Sequence, residues 1–280
     1  MKLRIGAVIA AHEITTDSLK LLKDKGFQDI NVFFWETLDG MDIDQLADTI
    51  ADSGMPVSCI SIFGNPLMAN PKGQEIASIW KALAASAPRF GNPFISGFAG
   101  RSTGKSVPDS IPAWKAFFSD ILDISYGSGA RGILFENCRM GDSWKKGNWN
   151  IAINPDAWEL MFQAIDDPKI GLQWEPCHQI EAFADPLLQL STWKKRIMHL
   201  HGKDGIIDSA LLASKGLYGS QKPFRATLPG SGASDWNKII SIISQDSCCD
   251  SIDLEFQSMP FIPNIAEAER SLSYLQSLLH

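Results

Sequence analysis

The feature that most restricts the fold of this sequence is an alternation, repeated eight times, of a short strand-like run followed by a helix-like stretch. The strand-like runs cover 3–9, 29–35, 56–63, 93–98, 131–136, 170–175, 196–201 and 251–256. They are mostly β-branched, Leu or Phe and are bounded by Gly, Pro or Asp. Such near-continuous apolar runs suit strands covered on both faces. After the first run, Thr16-Asp17 reads as a helix start, Leu19, Leu21 and Leu22 give an apolar face, and Gly26 is the stop. After the second, Ile43, Leu46, Ala47, Ile50 and Ala51 recur at helical spacing up to Gly54. Further helices are expected around 75–85, 111–126, 155–165, 235–244 and 265–279. Eight β-then-α units with no repeat, low-complexity segment or composition break predict an α/β fold, one (β/α)8 TIM barrel, as a single domain over residues 1–280. A doubly wound open sheet is the competing architecture. It would carry a glycine fingerprint after its first strand, where this chain reads GAVIAAHE.

Composition narrows the partners. The 45% of hydrophobic residues can build a core, which excludes disorder as the main state. With 25 Lys+Arg against 32 Asp+Glu, a net charge of -7 and no block of like charge, a nucleic-acid partner is disfavoured. The N-terminal apolar run is broken at once by His12 and Glu13, unlike a secretory signal. No stretch approaches the roughly 18 apolar residues of a membrane span, so a soluble protein with no membrane partner is expected. The cysteines Cys59, Cys138, Cys177, Cys248 and Cys249 are odd in number and form no C-x-x-C, which fits reduced thiols in a cytoplasmic protein.

In a barrel, the active site belongs at the C-terminal ends of the strands. The fifth run ends on Glu136, the sixth on Glu175, the seventh on His201, and the eighth carries Glu255 next to its end. Acidic residues are poor strand formers, so their presence there needs a reason. Together these four side chains make a mixed oxygen and nitrogen donor set of charge -3 that suits one divalent metal. Its carboxylate richness favours Mn²⁺ or Mg²⁺, and the imidazole leaves Co²⁺ and Zn²⁺ open. His199 and Asp253 share the strand faces of His201 and Glu255, which predicts a buried pair beneath the metal ligands. His12 and Glu36 end the first two strands and Arg101 follows the fourth, so all three are expected at the same mouth. Trp35, Phe63, Trp144 and Trp149 are candidates for a pocket wall or for core packing. Lys203 and Asp204 follow His201 directly. They are candidates for substrate binding, for a second metal, or for pairing with each other. Residues 141–154, glycine-bounded with two tryptophans and two lysines, read as a mobile flap.

The stretches Phe135-Glu136-Asn137-Cys138, Glu175-Pro176-Cys177-His178, His199-Leu200-His201-Gly202-Lys203-Asp204, Arg225, Leu228-Pro229-Gly230 and Asp235-Trp236, in this order, resemble the sugar phosphate isomerase/epimerase superfamily with its xylose isomerase-like barrel. That superfamily includes ketose 3-epimerases, inosose-processing enzymes and hydroxypyruvate isomerases. The resemblance runs through nearly the whole chain. It implies that Glu136, Glu175, His201 and Glu255 hold the metal and that Glu136 and Glu255 are also the catalytic acid and base on opposite sides of the reacting carbon. It further implies that His178 touches substrate oxygens and that Arg225 steadies the substrate. The usual Asp-Pro-Ser-His of the sixth strand here has Glu175 and Cys177 in place of Asp and Ser, which lengthens one ligand by a methylene.

The activity so implied is metal-dependent isomerisation or epimerisation of a small sugar, ketose or cyclitol through an enediolate, with His178, Arg225, His12, Lys203 and Trp35 as substrate-binding residues. A free sugar or cyclitol is preferred over a sugar phosphate. An inosose-type dehydratase begins with the same proton removal. A metal-dependent phosphodiesterase of the endonuclease IV kind shares the barrel but normally carries more histidines. A non-catalytic sugar-binding barrel would need no metal ligands. A homodimer and a homotetramer both remain open.

Overall fold

Local signals in the chain start and stop the elements close to where the sequence places them. In the computed structural model, which describes residues 3–245 and 247–279, helix α1 (Thr16–Lys25) begins with a capping box between Thr15 and Ser18, one residue before the expected start. It stops at Gly26, whose φ of 95° suits a residue without a Cβ. Helix α2 (Ile43–Ser53) is capped by Asp42 and ends at Gly54, with Leu46, Ala47 and Ile50 buried. Helices α3 (Pro71–Ser86), α4 (Val107–Ser128) and α5 (Pro155–Ala164) each have Pro in the first turn and an Asn or Ser cap.

Strands β1 (Arg4–Ala10), β2 (Ile30–Trp35), β3 (Val57–Phe63), β4 (Phe94–Gly97), β5 (Gly132–Glu136), β6 (Ile170–Trp174) and β7 (Ile197–Gly202) are joined by β10 (Ser251–Leu254) in a closed parallel barrel, in the order β1-β10-β7-β6-β5-β4-β3-β2. All eight expected runs are therefore barrel strands. The helices cover the outside, where Trp80, Trp114 and Phe118 pack with the β5 residue Phe135 in edge-on and tilted contacts. No helix among the described residues is long and apolar enough to cross a membrane.

The barrel interior is polar along part of its length. Gly6 on β1 makes room for this: a Cβ there would lie 2.0 Å from Asp29 Oδ1 and 2.2 Å from Asp253 Oδ1. The Ser251 hydroxyl lies between the two carboxyls, 2.9 Å from Asp29 Oδ2 and 2.8 Å from Asp253 Oδ1, and burial together with the Asp253 charge pushes the Asp29 carboxyl up to about 9.

Two regions depart from the simple alternation. After β6 the chain forms two short helices, α6 (Pro176–Glu181) and α7 (Pro186–Trp193). Between β7 and β10 lie an antiparallel hairpin, β8 (Asp204–Ile207) with β9 (Phe224–Thr227), and helix α8 (Ser209–Lys215). Helices α9 (Trp236–Ile243) and α10 (Ile265–Ser277) complete the outer layer.

Candidate active site

The strand ends bring Glu136, Glu175, His201 and Glu255 together, with one potential ligand atom of each within 4.8 Å of all the others. Asn137 fixes the sixth-strand ligand: its side chain accepts from the Glu175 N–H and donates to the Glu175 carbonyl, both at 3.0 Å. His201 Nδ1 lies 2.8 Å from Glu255 Oε2 and 3.9 Å from Glu136 Oε1. Apart from each other, His201 Nδ1 and Glu255 Oε2 have no hydrogen-bond partner among the described residues, and Glu175 Oε2 has none. Buried polar atoms that converge with so few partners are costly in a protein and are what the ligands of one cation look like. The donor set, three carboxylates and one imidazole, fits a divalent metal.

Lys203 belongs to the same cluster. Its Nζ lies 2.8 Å from Glu255 Oε1 and 3.5 Å from Glu175 Oε1, and the side chain is almost fully buried. Of the roles open to it, pairing with Asp204 is not the one observed. Asp204 instead accepts from Ser234 and from the Trp236 indole, tying the segment after β7 to α9. Lys203 continues the two-residue alternation of His199 and His201 by one step beyond the strand, a signal that was available in the sequence.

Charge in the cluster is distributed unequally. Burial and the neighbouring Cys138, Glu255 and Glu175 push the Glu136 carboxyl well up. Burial, the largest single influence, would raise Glu255 and Glu175, but the Lys203 ammonium together with His201 at Glu255 and His178 at Glu175 outweighs it and keeps both low. His178 lies with Nε2 2.6 Å from Glu175 Oε1 and 4.0 Å from Glu136 Oε1, and with Nδ1 3.5 Å from Glu181. Burial opposes its protonation, yet the adjacent Cys138 and Glu175 raise it well above the ordinary histidine value.

Beneath these ligands the expected pair is present. His199 Nε2 lies 2.8 Å from Asp253 Oδ2, burial holds His199 low, and against the effect of burial His199 and Ser58 keep Asp253 at about 2. Asn31 and Gln173, which the strand patterns hid inside apolar runs, are fully buried beside it. Their signal was a polar side chain in the middle of a strand otherwise covered on both faces, where it must find partners.

A cavity of about 550 Å³ opens over the cluster, bounded by Glu255, His12, Trp35, Phe33 and Phe63. His12 is exposed at its rim and Trp35 is half-exposed. Trp35 contacts Phe63, Phe98 and Trp149 at ring-centroid distances of 6.1–6.3 Å. An aromatic wall therefore exists, built from Trp35, Phe63, Phe98 and Trp149.

Other expected groups lie elsewhere. Arg225 sits exposed on β9, because Phe224 takes the inward position against Gly205 and strand alternation turns the next residue out. It lines neither the cluster nor the mouth cavity. Glu36 adopts φ 59° and lays its methylenes beside Gly64. Arg101 is fully buried but donates to the Lys105 and Trp144 carbonyls and lies 3.7 Å from Asp142. Trp144 packs half-buried against the core, outside the wall. The supposed flap is pinned: Asp142 accepts from the N–H groups of Asn148, Trp149 and Asn150 at 2.8–3.0 Å, and Asn150 donates to the carbonyls of Glu136 and Cys138. A buried carboxylate that collects three backbone donors organises the loop and with it the position of Trp149.

Comparison with known proteins agrees with this architecture. The chain is 24% identical over 217 residues to the uncharacterized protein YfiH of Bacillus subtilis (strain 168), covering 72% of this chain and 67% of that one. Among solved structures, the 3-keto-D-glucoside 4-epimerase YcjR from E. coli superposes with a TM-score of 0.70 at 13% identity, over 99% of this chain and 100% of that chain. A xylose isomerase domain protein from Planctomyces limnophilus gives 0.72 at 13% identity, over 99% and 98%. An L-ribulose 3-epimerase gives 0.70 at 17% identity, over 100% and 95%. These likenesses establish the fold, and the match of residues 19–278 to the family model described as xylose isomerase-like TIM barrel establishes the kinship: the chain belongs to the xylose isomerase-like TIM barrel family.

Proposed function

We propose that this protein is a divalent-metal-dependent isomerase or epimerase of a small, uncharged sugar, ketose or cyclitol. The observation that carries the reading is the convergence of Glu136, Glu175, His201 and Glu255 at the mouth of the barrel, one potential ligand atom of each within 4.8 Å of the others. The epimerase activities named for the solved relatives support it. A cation held by these four residues supplies charge stabilisation to the oxygens of an enediolate. Glu255, held low by Lys203, removes the proton next to the carbonyl, and Glu136, whose affinity for a proton is raised by burial and its neighbours, returns one to the other face. His178 and Lys203 bind substrate oxygens. His12 and Trp35 contact the substrate from the outer side, where a ring's C–H face can lie on the aromatic wall. Arg225, exposed on β9, has no part in this arrangement.

The mouth cavity supports an uncharged substrate over a phosphate ester, since no Lys or Arg lines it among the described residues. The same observation weighs against the phosphodiesterase reading. The dehydratase reading shares the first proton transfer, and a solved relative described as a probable 3-DHS dehydratase (AsbF from Bacillus anthracis) keeps it in view. The test is deuterium exchange from solvent into the carbon-bound hydrogens of free ketoses, inososes and keto-glycosides, followed by NMR with Mg²⁺ present. Exchange accompanied by a new stereoisomer or ketose supports the isomerase, exchange with loss of water supports the dehydratase, and no exchange in any compound overturns both.

A further inference from the structure

We infer that Asn31 and Gln173 position His201 by holding a proton on its Nε2, so that Nδ1 is the nitrogen turned toward Glu136 and Glu255. The inference rests on the reading of that cluster as a cation site and concerns the layer beneath it, which no comparison describes.

The direction of each hydrogen bond can be deduced. Asn31 Nδ2 lies 2.7 Å from Ser61 Oγ, 3.3 Å from the Cys59 carbonyl and 3.2 Å from its neighbour's carbonyl at Val32. Two of these are obligate acceptors, so the amide nitrogen must face them. Turning the side chain over would set its oxygen against two carbonyl oxygens. Asn31 Oδ1 therefore points to the other side, where it accepts from Gln173 Nε2 at 2.9 Å and meets His201 Nε2 at 3.0 Å. An oxygen without a proton can meet a ring nitrogen at that distance only by accepting from N–H, so His201 is protonated at Nε2. By the same logic Gln173 must present Nε2 to Asn31 Oδ1. Its second N–H points at His199 Nδ1, 3.3 Å away, and His199 donates through Nε2 to Asp253. The Gln173 amide thus donates both ways, to His199 and to Asn31, and Asn31 Oδ1 accepts from both Gln173 and His201, which links the Asp253–His199 pair at the barrel centre to the ring of His201 at the mouth.

The backbone supports this arrangement. The barrel has register irregularities between Ile30 and Asn31, where β2 pairs with β3, and between Leu172 and Gln173, where β6 pairs with β7. Each falls immediately before one of the two amides. Bulges re-aim side chains, and both of these side chains are fully buried with partners inside the barrel. A histidine that binds metal usually has its other nitrogen held by an acceptor, which sets the tautomer and the ring plane. Here a carboxamide does so, and because its oxygen carries no charge it leaves the negative charge of the cluster unchanged.

The test uses the whole protein labelled with ¹⁵N-histidine and long-range ¹H–¹⁵N correlation. It is run loaded with Zn²⁺ and chelator-stripped above about pH 8, where an unperturbed imidazole is neutral. His201 is expected to carry its proton on Nε2 in both states. Asn31→Ala should lose the protected Nε2–H signal and weaken Zn²⁺ binding by roughly 10- to 100-fold, the usual cost of removing such a partner. Asn31→Asp, which retains an acceptor oxygen, should keep the Nε2 tautomer. A wild-type His201 protonated on Nδ1 overturns the inference without any variant. So does an Asn31→Ala protein whose tautomer and affinity are unchanged. A wild type with the Nε2 tautomer that binds no cation upholds the tautomer assignment and overturns the reading of the cluster instead.

Discussion

Replacing Lys203 by Met removes the ammonium that separates Glu175 from Glu255 and leaves the chain length of the side chain nearly unchanged. At 2.8 Å and 3.5 Å, each contact is worth roughly 5–6 kcal/mol of direct attraction at an effective dielectric near 20, most of it offset by the cost of burying the charges. Loss of one partner of a buried pair typically costs about 3–5 kcal/mol, and because Glu255 retains 17% of its side-chain exposure the lower end applies. The cation-free variant is therefore expected to be about 3 kcal/mol less stable than the wild type in urea unfolding under chelation. A Mg²⁺ or Mn²⁺ concentration a hundred times the wild-type Kd, used for both proteins, stabilises the wild type by about 2.7 kcal/mol. The variant should gain more than the wild type, because its site has lost the positive charge that opposes the metal. The gap between the two should close to about 1 kcal/mol or less. A gap of the same size with and without cation would refute the idea that Lys203 and a metal compensate the same carboxylates.

Cation binding should also release protons, since the cation competes with protons for the buried ligand carboxylates, among which Glu136 is pushed well up. Affinity then falls as pH is lowered, and calorimetry in two buffers of different ionisation enthalpy should give different apparent heats. Equal heats would contradict it. Asp142→Ala leaves three backbone N–H groups without their acceptor and the buried Arg101 without its neighbouring negative charge, so a loss of roughly 3 kcal/mol or more is expected, together with a higher KM as Trp149 shifts. An unchanged urea midpoint would show that the loop is held by other contacts. Asp29, raised to about 9, keeps in the folded state a proton that the unfolded chain has released above about pH 4. Folding stability should therefore fall as pH rises from about 4 to about 9, and Asp29→Asn should flatten that slope in unfolding curves at several pH values. A slope that persists in Asp29→Asn assigns it to other groups.

The barrel was legible because the strands are largely apolar runs and the first helices end on their own stops, as at Gly26 and Gly54. The ligand set was legible for a related reason: Glu136, Glu175, His201 and Glu255 stand out at the ends of strands that otherwise avoid charge. What escaped was non-local. Arg225 was expected at the mouth, but the hairpin of β8 and β9 depends on a pairing across twenty residues, and it is the fit of Phe224 against Gly205 that turns Arg225 outward. Residues 141–154 look mobile by composition, yet a single buried carboxylate, Asp142, ties them down, and no linear pattern announces which acidic residue will do so. Asn31 and Gln173 were passed over because an isolated amide hardly disturbs the apolar pattern of a strand. Their partners come from β7 and from across the barrel, so their role emerges only when the sheet closes.

The central claim is that Glu136, Glu175, His201 and Glu255 jointly hold one divalent cation. Titration of the chelator-stripped protein with Mn²⁺, read by calorimetry and by elemental analysis after desalting, tests it most directly. One equivalent per chain in the wild type, lost in Glu136→Gln and in Glu255→Gln while both variants remain folded, is the result predicted. No binding by the wild type, or metal content unchanged in both variants, would contradict it.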